Sequence, residues 1–329
     1  MFKTSAALVA LVSLAACGAC NCNVPGFLAG LTTGGPGATP APGTTAAPIA
    51  VLPPGVVPPV PTPPPATLSC SQAAGAFALG PALAPFAVLA GLGGITNVGP
   101  SVVTFASGAV TGSLNDDLIG GWTAGGGLAA VTGFYPSGTD FDGTNAIYAP
   151  QFNNNPAVPQ AAQGALTTAY NTAAGMAPTW TFAGAGNVEL STAVGPAGYP
   201  TGTLPAGVYK VFSTASIMTG NLTLNGGGNP QSVFIFQIGT ALTTTLNGGT
   251  SGNVLLINGA NACNIYWAEG SAATLGGATF NGNVLTGPTN TGTESITINA
   301  TTFNGRALAK TAVSIPVAGG STITTPGGN

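Results

Sequence analysis

The sequence predicts a mainly β fold: a parallel solenoid with one long α-helix packed alongside it and an irregular cap insertion. Three observations carry that expectation. One segment design returns in phase: Thr240-Ala-Leu-Thr-Thr-Thr-Leu246 has relatives in Ser216-Ile-Met-Thr219, Ser271-Ala-Ala-Thr-Leu275, Glu294-Ser-Ile-Thr-Ile298 and Thr311-Ala-Val-Ser-Ile315. With Thr219, Thr243, Thr274, Thr297 and Ser314 as phase markers, the gaps average in the low to middle twenties, the length of one solenoid coil. Phe280-Asn-Gly-Asn283 and Phe303-Asn-Gly-Arg306 repeat one coil apart as well. Finally, 52 Gly together with abundant Thr and Asn favour turns and strands over helices. An antiparallel sandwich would leave the in-phase repeats unexplained.

Taken in order, residues 1–16 read as an export signal, with Lys3 as the basic start and Ala6–Ala16 as an apolar run too short to span a membrane. Leu14-Ala15-Ala16-Cys17 resembles the lipobox of bacterial lipoproteins. That resemblance implies a lipidated Cys17, a short lipidated segment over 17–23 and a membrane anchor at the bacterial cell envelope, on the outer membrane or cell surface. An ordinary signal peptide cut near Ala16, with secretion, is the other reading. Residues 24–68 form a Pro/Gly/Thr-rich linker ending in Pro58-Pro59-Val60-Pro61-Thr62-Pro63-Pro64-Pro65. Extended at about 3.1 Å per residue, such a spacer reaches on the order of 100 Å. A ligand for a proline-binding module is its alternative role.

The folded domain is expected over 69–325, with a tail at 326–329. Phe86–Gly91 and Ile95–Pro100 read as a strand and a turn, and Ser101-Val-Val-Thr104 as the start of a further strand. Residues 113–154 are Gly-rich and irregular, and are expected to form a cap that buries its own aromatics, Trp122, Phe134, Tyr135, Phe141, Tyr148 and Phe152. A helix is expected over 156–175, with Val158, Ala161, Ala162, Ala165, Leu166, Ala169, Tyr170 and Ala173 recurring at helical spacing. Asn155-Pro156 starts it, Gly175 and Pro178 end it, and Gln160, Gln163, Thr167, Thr168 and Asn171 make its exposed stripe. At a length near 30 Å it spans about six strands stacked at 4.8 Å. Beyond it the sequence reads as strands and turns only, among them Leu204–Val211, Ser232–Ile238, Asn253–Ile257 and Asn264–Ala268.

Charge is nearly absent, with 4 Lys+Arg, 7 Asp+Glu and no His. Acid–base catalysis, zinc sites and nucleic-acid binding all lack their usual residues. No cofactor, no metal and no nucleic-acid partner is therefore expected. Asp140-Phe-Asp142-Gly-Thr-Asn145 mimics the opening of a calcium loop but lacks its distant Glu, and reads as an Asx-rich turn, as does Asp116-Asp117. Cys20-x-Cys22 has metal-ligand spacing without companion ligands. In an exported chain, Cys70 and Cys263 are the expected disulfide.

Read with a two-residue period, each repeated segment sorts into two faces. Met218, Leu222, Leu242, Leu246, Ala273, Leu275, Ile296, Ile298, Val313 and Ile315 point inward. Thr219, Ala241, Thr243, Thr245, Ala272, Thr274, Ser295, Thr297, Ala312 and Ser314 point outward. The outward set is small, uncharged and rich in hydroxyls, and a stack of such strands makes a flat Ala/Ser/Thr surface. This surface is the candidate functional site.

Phe86–Gly91, Ile95–Pro100, Thr167-Thr-Ala-Tyr-Asn-Thr-Ala-Ala-Gly175, Leu204-Pro-Ala-Gly-Val-Tyr209, Val233-Phe-Ile-Phe-Gln-Ile-Gly239, Asn261-Ala-Cys-Asn-Ile-Tyr-Trp267, Phe280-Asn-Gly-Asn283 and Asn304-Gly-Arg-Ala-Leu-Ala309 stand together in one order. In that order they resemble the microbial ice-binding protein family, over roughly Ala74 to Thr324. The resemblance implies a discontinuous right-handed β-helix with a flanking helix, and ice bound through outward Thr, Ser and Ala. Residue by residue it implies ice contact at Thr219, Ala241, Thr243, Thr245, Ala272, Thr274, Ser295, Thr297, Ala312 and Ser314, by a monomer acting without catalysis. Ile217, where Ala or Thr is common, and Glu294, beside the fourth segment, depart from that pattern. A cell-surface adhesin and a polysaccharide lyase are the rival readings of a β-solenoid.

Overall fold

In the computed structural model the described residues are 76–98, 101–105, 118–121, 131–132, 147–148, 150, 155–182, 184, 186–245, 250–288, 292–318 and 320–326, within the compact unit Pro61–Asn329. The export signal, Cys17, Cys20, Cys22, the 24–68 linker, Cys70, Leu246 and most of 113–154 lie outside them. Among the described residues the strands are paired in parallel throughout and stack into three walls.

One wall has nine strands, in the order Ile147–Tyr148, Leu118–Gly121, Phe86–Ala90, Ala307–Leu308, Asn283–Thr286, Ile265–Glu269, Phe234–Ile238, Gly207–Val211 and Trp180–Phe182. A second has eight, in the order Val131–Thr132, Gly94–Asn97, Ala312–Ile315, Ile296–Ile298, Ala273–Leu275, Leu242–Thr244, Ala215–Ile217 and Val188–Glu189. The third is split into Val254–Ile257, Leu222–Asn225 and Thr203–Pro205 on one side, and Thr279–Asn281, Thr302–Asn304, Thr322–Thr325 and Val102–Phe105 on the other. Successive coils approach closely where the first wall turns into the second. A Cβ on Gly270 would lie 2.0 Å from the Gly239 carbonyl oxygen, so only glycine fits that corner.

The stack is discontinuous in sequence. The strands Phe86–Ala90, Gly94–Asn97 and Val102–Phe105 do not pair with the first coils beyond the helix; they add to the far end of the solenoid. Val88 is in register with Ala307, Thr96 with Ser314 and Thr104 with Thr324. The short strands at 118–121, 131–132 and 147–148 continue two walls beyond them. Part of the expected irregular insertion is thus regular. Tyr148 does not pack within a self-contained cap either: its ring lies 6.3 Å from that of Phe86.

Arg306 fastens this junction. Its guanidinium is buried, with Nε donating to the Ala84 carbonyl at 2.8 Å, one terminal nitrogen to Asn283 Oδ1 at 3.1 Å and the other to the Pro326 carbonyl at 3.1 Å. The N-terminal segment, an inner coil and the C-terminal strand therefore share one side chain. Inside the coils, Phe182, Tyr209, Phe236 and Trp267 of the first wall stack from turn to turn, the Phe236–Trp267 pair closest at 4.1 Å, and a tilted Trp267–Phe280 contact joins this row to the stacked Phe280 and Phe303 of the third wall. Such contacts add to the burial of large apolar area that makes a coil cohere with its neighbours.

The helix Ala157–Gly175 lies against the nine-stranded wall. The Asn155 side chain accepts the Ala157 amide, while Met176 leaves the helix in extended backbone. Ala162, Leu166, Ala169 and Ala173 pack with Tyr266, Leu285 and Leu308 in a second apolar layer outside the coils. Two members of the expected stripes change sides. Ala161 is exposed, and Gln163 is buried with its amide donating to the Ala309 carbonyl at 2.9 Å. Lys310 adds bonds of 3.0 Å to the Gln163 carbonyl and the Thr167 hydroxyl, so the helix is pinned as well as packed.

Glu269 is an oddity in this core. It stands in register with Ile238 and Thr286, fully buried, and neither carboxyl oxygen has a hydrogen-bond partner among the described residues. Burial pushes its carboxyl well above the usual carboxylate range. The folded state therefore keeps a proton that the unfolded chain loses above its ordinary pKa, so stability falls as pH rises through that value. Glu269→Leu is expected to stabilise the domain by about 1–3 kcal/mol, the cost of an unsatisfied buried polar group. The gain should be larger at pH 8 than at pH 4 in urea unfolding. A destabilised variant would show that the carboxyl has a favourable role.

Candidate functional site

Of the three walls, one is covered by the helix and another is split. The split wall also carries Leu255 and Ile257 outward, each 41 % exposed, among its Thr and Asn positions. Among the described residues the eight-stranded wall alone is both continuous and bare of a covering element, and all five repeated segments place their strands on it. Its inward residues Leu242, Ala273, Leu275, Ile296, Ile298, Val313 and Ile315 are buried, as the two-residue period requires.

Its outward residues fall into two columns. In one, Thr96, Ser314, Thr297, Thr274, Thr243, Ser216 and Glu189 succeed each other in register. In the other, Gly94 is paired with Ala312, and the register continues through Ser295, Ala272, Ala241, Thr214 and Asn187. Adjacent strands stand about 4.8 Å apart and outward neighbours along a strand about 7 Å, so the two columns form a two-dimensional grid of small groups. The hydroxyls of Thr96, Ser314, Thr297, Thr274 and Thr243 make no side-chain hydrogen bond among the described residues. They are therefore available to whatever the wall meets.

Several expected positions move. In the segment at 216–219, Ser216 stands in register with Thr243, so Ile217 is the buried inward residue and Thr219 lies beyond the strand end. Met218, expected inside, is 48 % exposed. Leu222 is buried, but on the third wall. Thr245 also lies just past its strand rather than within it, and its hydroxyl donates to the Met218 carbonyl at 2.8 Å, stitching one coil to the previous one. The two departures noted in the sequence do not mar the wall. Ile217 points inward, and Glu294 is buried at the corner, where its Oε2 accepts from the Thr311 hydroxyl and the Gly292 amide, each at 3.1 Å.

Gly94 and Thr96 join the wall without having been expected on it. Their partners Ala312 and Ser314 lie more than two hundred residues away in sequence, and the only local sign is that Gly93-Gly-Ile-Thr96 echoes Thr240-Ala-Leu-Thr243. Charge on the wall is confined to Glu189 among its described outward positions. Burial alone would raise that carboxyl, but hydrogen bonds from the Ser191 and Ser216 hydroxyls and the Met218 and Ser191 amides hold it below the usual range. Away from the wall, Cys263 is disulfide-bonded. Among the described residues no cluster of His, Cys, Asp and Glu could hold a metal ion, and no helix is long and apolar enough to cross a membrane.

Known proteins resemble this chain across the same region. It is 35% identical over 225 residues to an ice-binding protein of Nostoc sp. (strain HG1), a match covering 67% of this chain and 65% of the relative, so just under two thirds of that protein's length is represented. An ice-binding protein of Colwellia sp. is 34% identical over 229 residues, covering 68% of this chain and 75% of the relative. The glycosylated ice-binding protein from an Arctic yeast superposes with a TM-score of 0.55 at 26% identity, covering 78% of this chain and 97% of that one. The ice-binding protein of the Antarctic ascomycete Antarctomyces psychrotrophicus gives 0.53 at 28%, covering 76% and 97%. A sequence profile of ice-binding-like proteins matches residues 88–319, and the chain belongs to that ice-binding-like family.

Proposed function

We propose that this protein adsorbs to ice through the eight-stranded wall and thereby slows crystal growth and recrystallisation. The observation that supports this most is the column of hydroxyls at Thr243, Thr274, Thr297, Ser314 and Thr96, unengaged among the described residues and flanked by Ala241, Ala272, Ser295, Ala312 and Gly94. A rigid parallel sheet holds these groups at fixed spacing, so hydroxyls can anchor water while methyls order the water between them. Charged groups would instead hold hydration shells of their own, and the described middle of the wall has none. Adsorption needs no transition state, so the protein acts without catalysis. The described outward positions also lack the aromatic rings that an adhesin would use to meet sugars.

Export, with Cys17 lipidated and the 24–68 segment as spacer, would place a monomeric domain outside the cell, where ice forms. Cys70 is the proposed partner of Cys263. The direct test is the shape and growth of single ice crystals in purified protein. Faceted crystals and slowed recrystallisation are expected, and ordinary disc-shaped growth at saturating protein would refute the assignment.

A further inference from the structure

We propose that Glu189 sets one end of the ice-contacting surface by withdrawing the last hydroxyl of the column from it. This rests on the ice-face reading above. Ser216 occupies the next register position after Thr243, yet it is only 3 % exposed. Its hydroxyl donates to Glu189 Oε2 at 2.7 Å and accepts from the Asn187 side-chain Nδ2 at 2.8 Å. Glu189 comes next in the same column and is engaged on every side. It accepts from the Ser191 hydroxyl at 2.5 Å and amide at 3.3 Å, and from the Met218 amide at 3.0 and 3.1 Å.

Two consequences make this a boundary. Ser216 has both its donor and an acceptor site committed inside the protein, so it has little left to offer a water layer. Beside it stands a carboxylate, held charged by its donors, whose own hydration is incompatible with an ordered layer of neutral spacing. Just past it, Met218 stands exposed at the wall's margin. The contact therefore stops at Thr243, although the sheet itself runs two strands further. Hydrogen bonds that would otherwise serve a ligand instead close the edge of the terminal strand Val188–Glu189 onto its neighbour.

The test compares bulky substitutions on the two sides of that line, with each variant's folding confirmed by circular dichroism. Asn187→Tyr is expected to change recrystallisation inhibition by no more than about twofold, whereas Ala272→Tyr loses about tenfold or more, as expected when a specific contact is broken. If Asn187→Tyr is as damaging as Ala272→Tyr, the surface extends past Glu189 and the boundary is overturned. If Ala272→Tyr is harmless, the ice face itself is wrong and the boundary falls with it. Glu189→Thr, where it folds, is expected to increase activity by about 1.3-fold, the gain from adding two 4.8 Å coils to roughly six. Unchanged activity in a folded Glu189→Thr protein also overturns the proposal.

Discussion

Thr274→Tyr is expected to abolish ice-crystal shaping and to cost at least about tenfold in recrystallisation inhibition, the equivalent of ~1.4 kcal/mol or more of contact free energy. Thr274 sits mid-column between Thr243 and Thr297, half-buried, with no side-chain hydrogen bond to lose among the described residues. A phenol there would stand proud of a plane built from methyl and hydroxyl groups, holding the neighbouring coils off a flat crystal surface. The same lack of internal partners makes the substitution cheap for the fold, within about 0.5 kcal/mol of the parent as for ordinary surface changes. Thr243→Tyr should behave alike. Thr168→Tyr, on the exposed side of the helix, should leave activity intact. Retained activity in a folded Thr274→Tyr protein would remove the wall from consideration.

The largest expected stability effect lies elsewhere, at Arg306. Arg306→Leu is expected to destabilise the domain by about 3–5 kcal/mol in urea unfolding, because removing one partner leaves buried acceptors without donors. Those acceptors are the Ala84 and Pro326 carbonyls and Asn283 Oδ1, each contributed by a different part of the stack. Arg306→Lys should recover only part of the loss, since an ammonium cannot match three acceptors set out for a planar guanidinium. A cost below about 1 kcal/mol for Arg306→Leu would mean that apolar packing alone holds the junction.

Much of this architecture is legible in the sequence because local periodicity and tertiary packing agree. The helix is one such case: its Ala and Leu stripe and its start at Asn155 suffice to place it within a residue of its observed bounds. The in-phase segments at 271, 294 and 311, and Ala241–Thr243 of the segment at 240, also sort into inner and outer faces as expected, since small outward residues alternate with apolar inward ones. The segment at 216 misleads for an identifiable reason. Ser216-Ile-Met-Thr219 imitates the ending of the other repeats, but the strand is Ala215–Ile217, and an odd-numbered shift in phase exchanges the two faces. Glu189, bonded to Ser216 and Met218, and Ser191, bonded to Thr219, hold it in that register; they lie in the preceding coil and leave no mark within the segment. Gln163 and Glu294 mislead by residue type. Each looks like a surface group, and each is buried because a specific partner distant in sequence or in another coil satisfies it, Ala309 for Gln163 and Thr311 for Glu294. Thr96 escapes because its one local sign, the echo of Thr240-Ala-Leu-Thr243 in Gly93-Gly-Ile-Thr96, does not name Ser314, more than two hundred residues away, as its partner.

The insertion of the first strands beyond the last coil has a kinetic side. A solenoid built strictly in order can grow by adding each turn to its predecessor, with every contact within about one coil of sequence. Here Leu89 must find Leu308 across a loop of more than two hundred residues, and the end of the stack stays open until that closure occurs. Loop-closure entropy grows only slowly with length, so the native state loses little by it, but the search is long. During synthesis the same segment emerges early and must wait for residues 302–326 before it has an edge to join. Folding of this domain is therefore expected to end with a slow docking step that brings the two ends of the domain together.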